Sequence, residues 1–170
     1  MKAKIIGLLS AALAVTALAA PPAGADGYYR VRNYGSNKCI QPHPSNPLGN
    51  TVPVVQMPCN NNAVQKWAIV PNTSDTFYFI NQASGHCMDV LGSNTNRAPV
   101  IQVTCNTNSG QRWVPPAVIP NSVPDFIRSK VGGGNPTRCL DAKGETADLT
   151  QMQIYDCQQD HPMTLWLIHR

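Results

Sequence analysis

The chain has 170 residues, 42% of them hydrophobic, with 13 basic and 9 acidic side chains and a formal net charge of +4. That length suits one domain behind a short leader. The weak positive charge, with no cluster of Lys and Arg, excludes a strong field toward nucleic acid or anionic lipid.

The leader comes first. Lys2 and Lys4 precede an apolar run from Ile5 to Ala20, and Ala23-Gly24-Ala25 is a small-residue cleavage site. This is the pattern of a secretory signal peptide, expected at 1–25, with cleavage after Ala19 as the alternative. A membrane anchor fits less well, because the run is short for a span and Pro21-Pro22 ends it. Removing Lys2 and Lys4 leaves 11 basic side chains against 9 acidic ones. The mature chain, 26–170, is expected to be exported and soluble, with no later membrane span.

From there the chain reads as β structure. Tyr28 to Arg32 alternates as a half-buried strand does, and Tyr34-Gly35-Ser36-Asn37 turns it back. A strand opens at Cys39-Ile40-Gln41, a polar loop follows from Pro42 to Thr51, and a second strand runs from Val52 to Cys59. A polar turn leads to Gln65-Lys66-Trp67 and a closing strand to Val70. After Pro71–Asp75 the same order returns. Thr76 to Ile80 is followed by Cys87-Met88-Asp89, a loop from Gly92 to Ala98, a strand from Pro99 to Cys105, and Gln111-Arg112-Trp113-Val114. A Pro-rich linker, Pro115–Asp125, precedes the third pass. There Phe126 to Val131 leads to Cys139-Leu140-Asp141, a loop from Lys143 to Asp148, a strand from Leu149 to Cys157, and Thr164-Leu165-Trp166. Fifteen prolines and no helical periodicity exclude long helices.

All six cysteines and all three tryptophans fall into this one pattern. The two cysteines of a copy are separated by 20, 18 and 18 positions, and the copies begin 48 and 52 positions apart. Such a repeat is one supersecondary unit used three times. Six cysteines in an exported chain imply disulfides, and of 15 possible pairings the repeat selects Cys39–Cys59, Cys87–Cys105 and Cys139–Cys157. Free buried thiols are the alternative. No metal is expected, because there is no Cys-x-x-Cys and the four histidines share no ligand spacing.

Three Cys-x-x segments (Asp in copies two and three, Gln41 in copy one), each paired with a later Cys and a Gln-x-Trp-type segment, resemble the ricin-B-type lectins. The resemblance spans about Tyr28 to Arg170 and implies an all-β fold, a β-trefoil. Its three pseudo-symmetric four-stranded lobes, about twelve strands, would fall near 28–71, 76–118 and 125–170. Six strands would form a barrel and six would form capping hairpins, with three disulfides inside the lobes. The resemblance also implies one shallow sugar site per lobe. Such a site takes an Asp two after the first Cys, a Gln four before the second, an aromatic two before it, and a polar residue just before Gln-x-Trp. The chemistry suits a sugar: a carboxylate accepts charge-assisted bonds from hydroxyls, an amide donates and accepts, and a ring covers the C–H face.

Copy three carries the expected set: Asp141, Gln153 and Tyr155. Its end is altered, with Thr164 in place of Gln and Trp166 one position late, so Asp160 or His161 is the candidate rim residue. Copy two keeps Asp89 and Gln111 but has Ile101, Val103 and Gly110 at the other positions. Copy one has Gln41, Val55 and Met57 and is expected to bind no sugar. Gln65 and Gln111 are expected to be structural, and Trp67, Trp113 and Trp166 to lie in the core. Asp89 and Asp141 could instead bond backbone donors at a turn, and Tyr155 could be a cross-strand partner. No catalytic motif or carboxylate pair is recognisable, and Glu145 is the sole glutamate, so neither an enzyme nor a cofactor is expected. The expected function is weak carbohydrate binding, chiefly through the third lobe. The alternative is a protein-interaction trefoil, toxin-subunit-like or inhibitor-like, with degenerate sugar sites.

Overall fold

The structure, a computed structural model, describes residues 27–170; the leader expected at 1–25 lies outside the described residues. The first lobe holds β1 (Tyr28–Asn33), β2 (Cys39–Pro42), β3 (Val52–Met57) and β4 (Lys66–Pro71). The second holds β5 (Phe77–Asn81), β6 (Cys87–Val90), β7 (Val100–Val103) and β8 (Trp113–Val114). The third holds β9 (Asp125–Phe126), β10 (Arg128–Ser129), β11 (Arg138–Asp141), β12 (Gln153–Asp156) and β13 (Leu165–His169). A single 3-10 turn enters the last strand of each lobe, at Ala63–Gln65, Ser109–Gln111 and Pro162–Thr164.

The first and last strands of the lobes form the barrel. β1 pairs with β4 and β13, β4 with β5, β5 with β8, β8 with β10, and β13 with β9. The strand expected over 126–131 is broken at Ile127, so β9 pairs toward β13 and β10 toward β8. That break turns about twelve strands into thirteen. Ile127 itself is fully buried, and its carbonyl accepts from Leu140 N (2.8 Å). The middle strands form the caps, β2–β3, β6–β7 and β11–β12.

The caps meet around a pseudo-threefold axis. β3 pairs with β7, and the third lobe bridges to Val55 of β3 through Gln151, just before β12, and to Pro99, just before β7, through Gln153. The backbone enters each of these strands through a residue with positive φ: Thr51 (59°), Arg97 (72°) and Leu149 (63°). Each lies eight positions before the second Cys of its lobe. None of these residue types favours the left-handed region, so the surrounding pairing imposes it.

The core is threefold as well. Trp67, Trp113 and Trp166 are fully buried. Each indole N–H donates to the carbonyl of the residue after the first Cys: Ile40 (3.2 Å), Met88 (3.0 Å) and Leu140 (2.8 Å). The ring fills the lobe while its one polar group ties the last strand to the cap. The disulfides are Cys39–Cys59, Cys87–Cys105 and Cys139–Cys157, with Cα separations of 4.9, 4.9 and 5.1 Å.

Two buried glutamines join lobes. Gln56 accepts from Ser36 Oγ and donates to the carbonyls of Glu145 and Ala147 in lobe three. Gln102 repeats this, accepting from Ser84 Oγ and donating to Pro47 and Gly49 in lobe one. The third equivalent is Ile154, which cannot do so; there Asn96 Nδ2 donates to Asp156 Oδ2 instead (2.8 Å). The Pro-rich linker is also tied down. Asn121 accepts from Ile168 N and donates to Trp166 O, extending the edge of β13.

Candidate functional site

Strand register brings the lobe-three candidates together. On the β11–β12 hairpin Asp141 lies opposite Gln153, and Cys139 opposite Tyr155. Because directly opposed residues share a face and side chains alternate, Asp141, Gln153 and Tyr155 occupy one face. Gln153 Nε2 donates to Asp141 Oδ2 (2.7 Å), and Lys143 N donates to the same oxygen (3.0 Å). Tyr155 is half-buried.

The other carboxylate oxygen is different. Asp141 Oδ1 is buried without a hydrogen-bond partner, and so is His161 Nδ1, 3.9 Å away. His161 comes from the altered turn, which Ala142 N anchors through Met163 O (3.2 Å). The turn covers Asp141, leaving it 2% exposed, while the His161 side chain remains 40% exposed. Burial raises the Asp141 pKa; the Gln153 and Lys143 bonds, and then His161, oppose the rise. Thr164 is fully buried, and its hydroxyl donates within the turn, to Gln158 O or His161 O. Asp160 is exposed and forms no ion pair among the described residues.

Lobe two is arranged differently. Gln111 is fully buried. Its oxygen accepts from Asn106 N (2.8 Å), and its amide donates to Thr104 O (3.1 Å) and Asp89 Oδ2 (3.0 Å). It therefore holds Asp89 from within the protein. Gln65 has the same role in lobe one, bonding Gln41 Oε1 (2.8 Å). Asp89 lines a groove of about 420 Å³ with Ile101, Val103, Asn106, Asn108 and Gly110. Burial raises its pKa as well, against the bond from Gln111. Gly110 is required here: a Cβ on it would lie 2.3 Å from Asp89 Oδ1 and 3.0 Å from Val90 O. Sequence reasoning noted only that a polar side chain was absent at 110. The crossing carboxylate that demands a glycine is a tertiary contact with no local signal.

Lobe one places Gln41, 6% exposed, where the other lobes have an acid, with Val55 opposite it and Met57 opposite Cys39. Among the described residues no three His, Cys, Asp or Glu side chains gather as a metal site. No described helix is long and apolar enough to cross a membrane.

Comparisons with known proteins agree with this geometry. The model of the ricin-type beta-trefoil lectin domain matches residues 75–170, and that of the ricin-type beta-trefoil lectin domain-like family matches residues 18–103. A comparison with the curated proteins finds no match. Among solved structures, the designed three-fold symmetric protein ThreeFoil superposes with a TM-score of 0.75 at 20% identity, covering 85% of this chain and 99% of that one. The Macrolepiota procera ricin B-like lectin, solved with lactose, gives 0.66 at 16%, covering 84% and 94%. An exo-beta-1,3-galactanase from Clostridium thermocellum gives 0.74 at 21%, covering 85% of this chain but 30% of that one. The chain also spans 17% of a mosquitocidal holotoxin. At these identities the superpositions establish the fold.

Proposed function

The chain belongs to the ricin-type β-trefoil lectin family, and from that premise we propose that it is a secreted, non-enzymatic carbohydrate-binding domain whose third lobe carries the main sugar site. One observation carries the reading. Asp141 Oδ1 and His161 Nδ1 are both buried without a hydrogen-bond partner and 3.9 Å apart, and Asp141 shares its hairpin face with Gln153 and Tyr155. Buried polar atoms are nearly always satisfied. A sugar hydroxyl reaching this pair donates to Oδ1 and accepts from an Nδ1–H of His161, while Tyr155 covers the C–H face. The partly exposed His161 is the solvent-facing side of the site. Gln153 and the Lys143 amide fix the carboxylate in advance, which lowers the ordering cost of binding.

The neighbours support the reading by kind: lectins solved with lactose or with GalNAc, and a galactan-degrading enzyme carrying the same fold as part of a longer chain. One ring and a few hydrogen bonds give a monosaccharide Kd of about 1 mM, or roughly −4 kcal/mol. Useful affinity then needs polysaccharide or clustered ligands. The groove beside Asp89 favours a second, weaker site in lobe two, walled by Ile101 and Val103 in place of amide and ring. The test is titration of wild type, Asp141→Ala, Tyr155→Ala and Asp89→Ala with a lactose-type and an N-acetylgalactosamine-type oligosaccharide. Asp141→Ala removes a charge-assisted contact of about 1.5–3 kcal/mol and should abolish measurable binding. Equal loss from Asp89→Ala and Asp141→Ala would refute the lobe-three assignment.

A further inference from the structure

The outer face of the barrel in lobe one carries a cationic pocket separate from the hairpin face of lobe three. Arg30 on β1 lies opposite His169 on β13 and opposite Lys66 on β4. Arg32, two residues along, shares that face and lies opposite Cys39. Arg30, Arg32, Asn37 and His169 line a recess of about 260 Å³ beside the Cys39–Cys59 disulfide. Four cations elsewhere have acidic partners: Lys38 with Asp148, Lys130 with Asp75, Arg138 with Asp156 and Arg128 with Asp125. No acidic side chain among the described residues pairs with Arg30, Arg32, Lys66 or His169. Arg30 Nη2 donates to the main-chain oxygen of Arg170 (3.1 Å), and Arg32 donates to Asn37 Oδ1. Arg32 Nε and His169 Nε2 are buried without a partner.

Like charges directly opposed across a sheet destabilise it. Burial and then the charges of Arg32 and Arg30 hold the His169 pKa below its ordinary value. Two guanidiniums with N–H groups in fixed planes match the paired oxygens of a sulfate or carboxylate. We propose that this pocket binds the acidic group, sulfate ester or uronate carboxylate, of an anionic glycan. Lobe one, which lacks the acid of the other lobes, would then hold a charged sugar by the opposite polarity. That the anion sits on a glycan rests on the carbohydrate reading above; the anion pocket itself does not.

The experiment titrates full-length mature protein with chondroitin 4-sulfate oligosaccharide, a neutral lactose-type oligosaccharide, a galacturonate oligomer and sodium sulfate. Total ionic strength is held constant with NaCl, and amide shifts are followed by NMR. Acidic oligosaccharide should shift amides at 30–32, 37, 39, 59 and 169. Arg32→Gln should weaken that binding about tenfold or more, and leave unchanged the response to the neutral sugar. Sodium sulfate binding with no gain from the saccharide would keep an anion pocket and overturn the glycan. Shifts confined to lobe three, or undiminished binding by a folded Arg30→Gln/Arg32→Gln variant, would overturn the pocket. Silence of the neutral sugar alone would count against the lobe-three reading and not against this one.

Discussion

Truncating Trp113 to alanine tests whether the repeated tryptophan holds the lobe together. Its ring is fully buried and its Nε1 donates to Met88 O at 3.0 Å. Loss of the ring leaves a cavity and the lost transfer energy, about 3–5 kcal/mol for a buried Trp. The Met88 carbonyl also loses its donor, which adds about 1–3 kcal/mol if no water reaches it. The sum is a large part of the roughly 5–15 kcal/mol that holds a typical domain folded. Trp113→Phe separates the two terms: it keeps most of the packing and orphans the carbonyl, so it should cost about 1–3 kcal/mol. At roughly 3–4 °C per kcal/mol for a chain of this size, the two variants should be well separated in thermal melts followed by near-ultraviolet circular dichroism. A Trp113→Ala protein that melts with the wild type but fails to bind sugar would refute the core role. Equal melting of the Phe and Ala variants would refute the division between packing and hydrogen bond.

Other outcomes follow from the same contacts. Gly110→Ala puts a Cβ 2.3 Å from Asp89 Oδ1; it should displace the carboxylate and cost about 1–3 kcal/mol, seen as a lower melting temperature and a shifted Gln111 side-chain amide signal. Gln102→Ala removes the donor to Pro47 O and Gly49 O; it should cost about 1–3 kcal/mol and speed hydrogen exchange in the loop at 46–50, with unchanged exchange as the contrary result. Burial raises the Asp141 pKa in the folded state, so the folded protein takes up a proton at a pH where the unfolded chain does not. Relative to Asp141→Asn, wild-type stability should therefore rise as the pH falls from 7 through the raised folded value, and level off below about 3.9, the unfolded value. Sugar binding that needs the carboxylate should weaken over that same window, and a pH-independent affinity down to pH 4 would contradict it.

The fold was legible because its punctuation is covalent and aromatic. Cysteines and tryptophans in phase across three copies specify units that each close on themselves, and no side-chain geometry is needed to see it. The backbone details were not legible. Thr51, Arg97 and Leu149 adopt positive φ, yet nothing in a threonine, arginine or leucine announces it; tertiary pairing around the axis overrides local preference. Gln56 and Gln102 sit inside strands, where a polar residue reads as solvent-facing, and only the approach of a neighbouring lobe reveals them as buried ties. That Gln153 and Tyr155 share a face follows from their two-residue spacing, because strand alternation is local. The cover over Asp141 depends on how the longer turn at 158–163 folds back, and that length change has no predictable geometry. For Gln111 the spacing from the tryptophan is visible, but the direction of its side chain into the protein is not.

The most direct measurement is a glycan array probed with the purified, disulfide-intact mature protein at a concentration matched to millimolar monosaccharide affinity through multivalent display. The account predicts reproducible binding to a set of glycans, lost in the Asp141→Ala protein. A folded wild type that binds no glycan on the array would contradict it and favour a protein-binding trefoil.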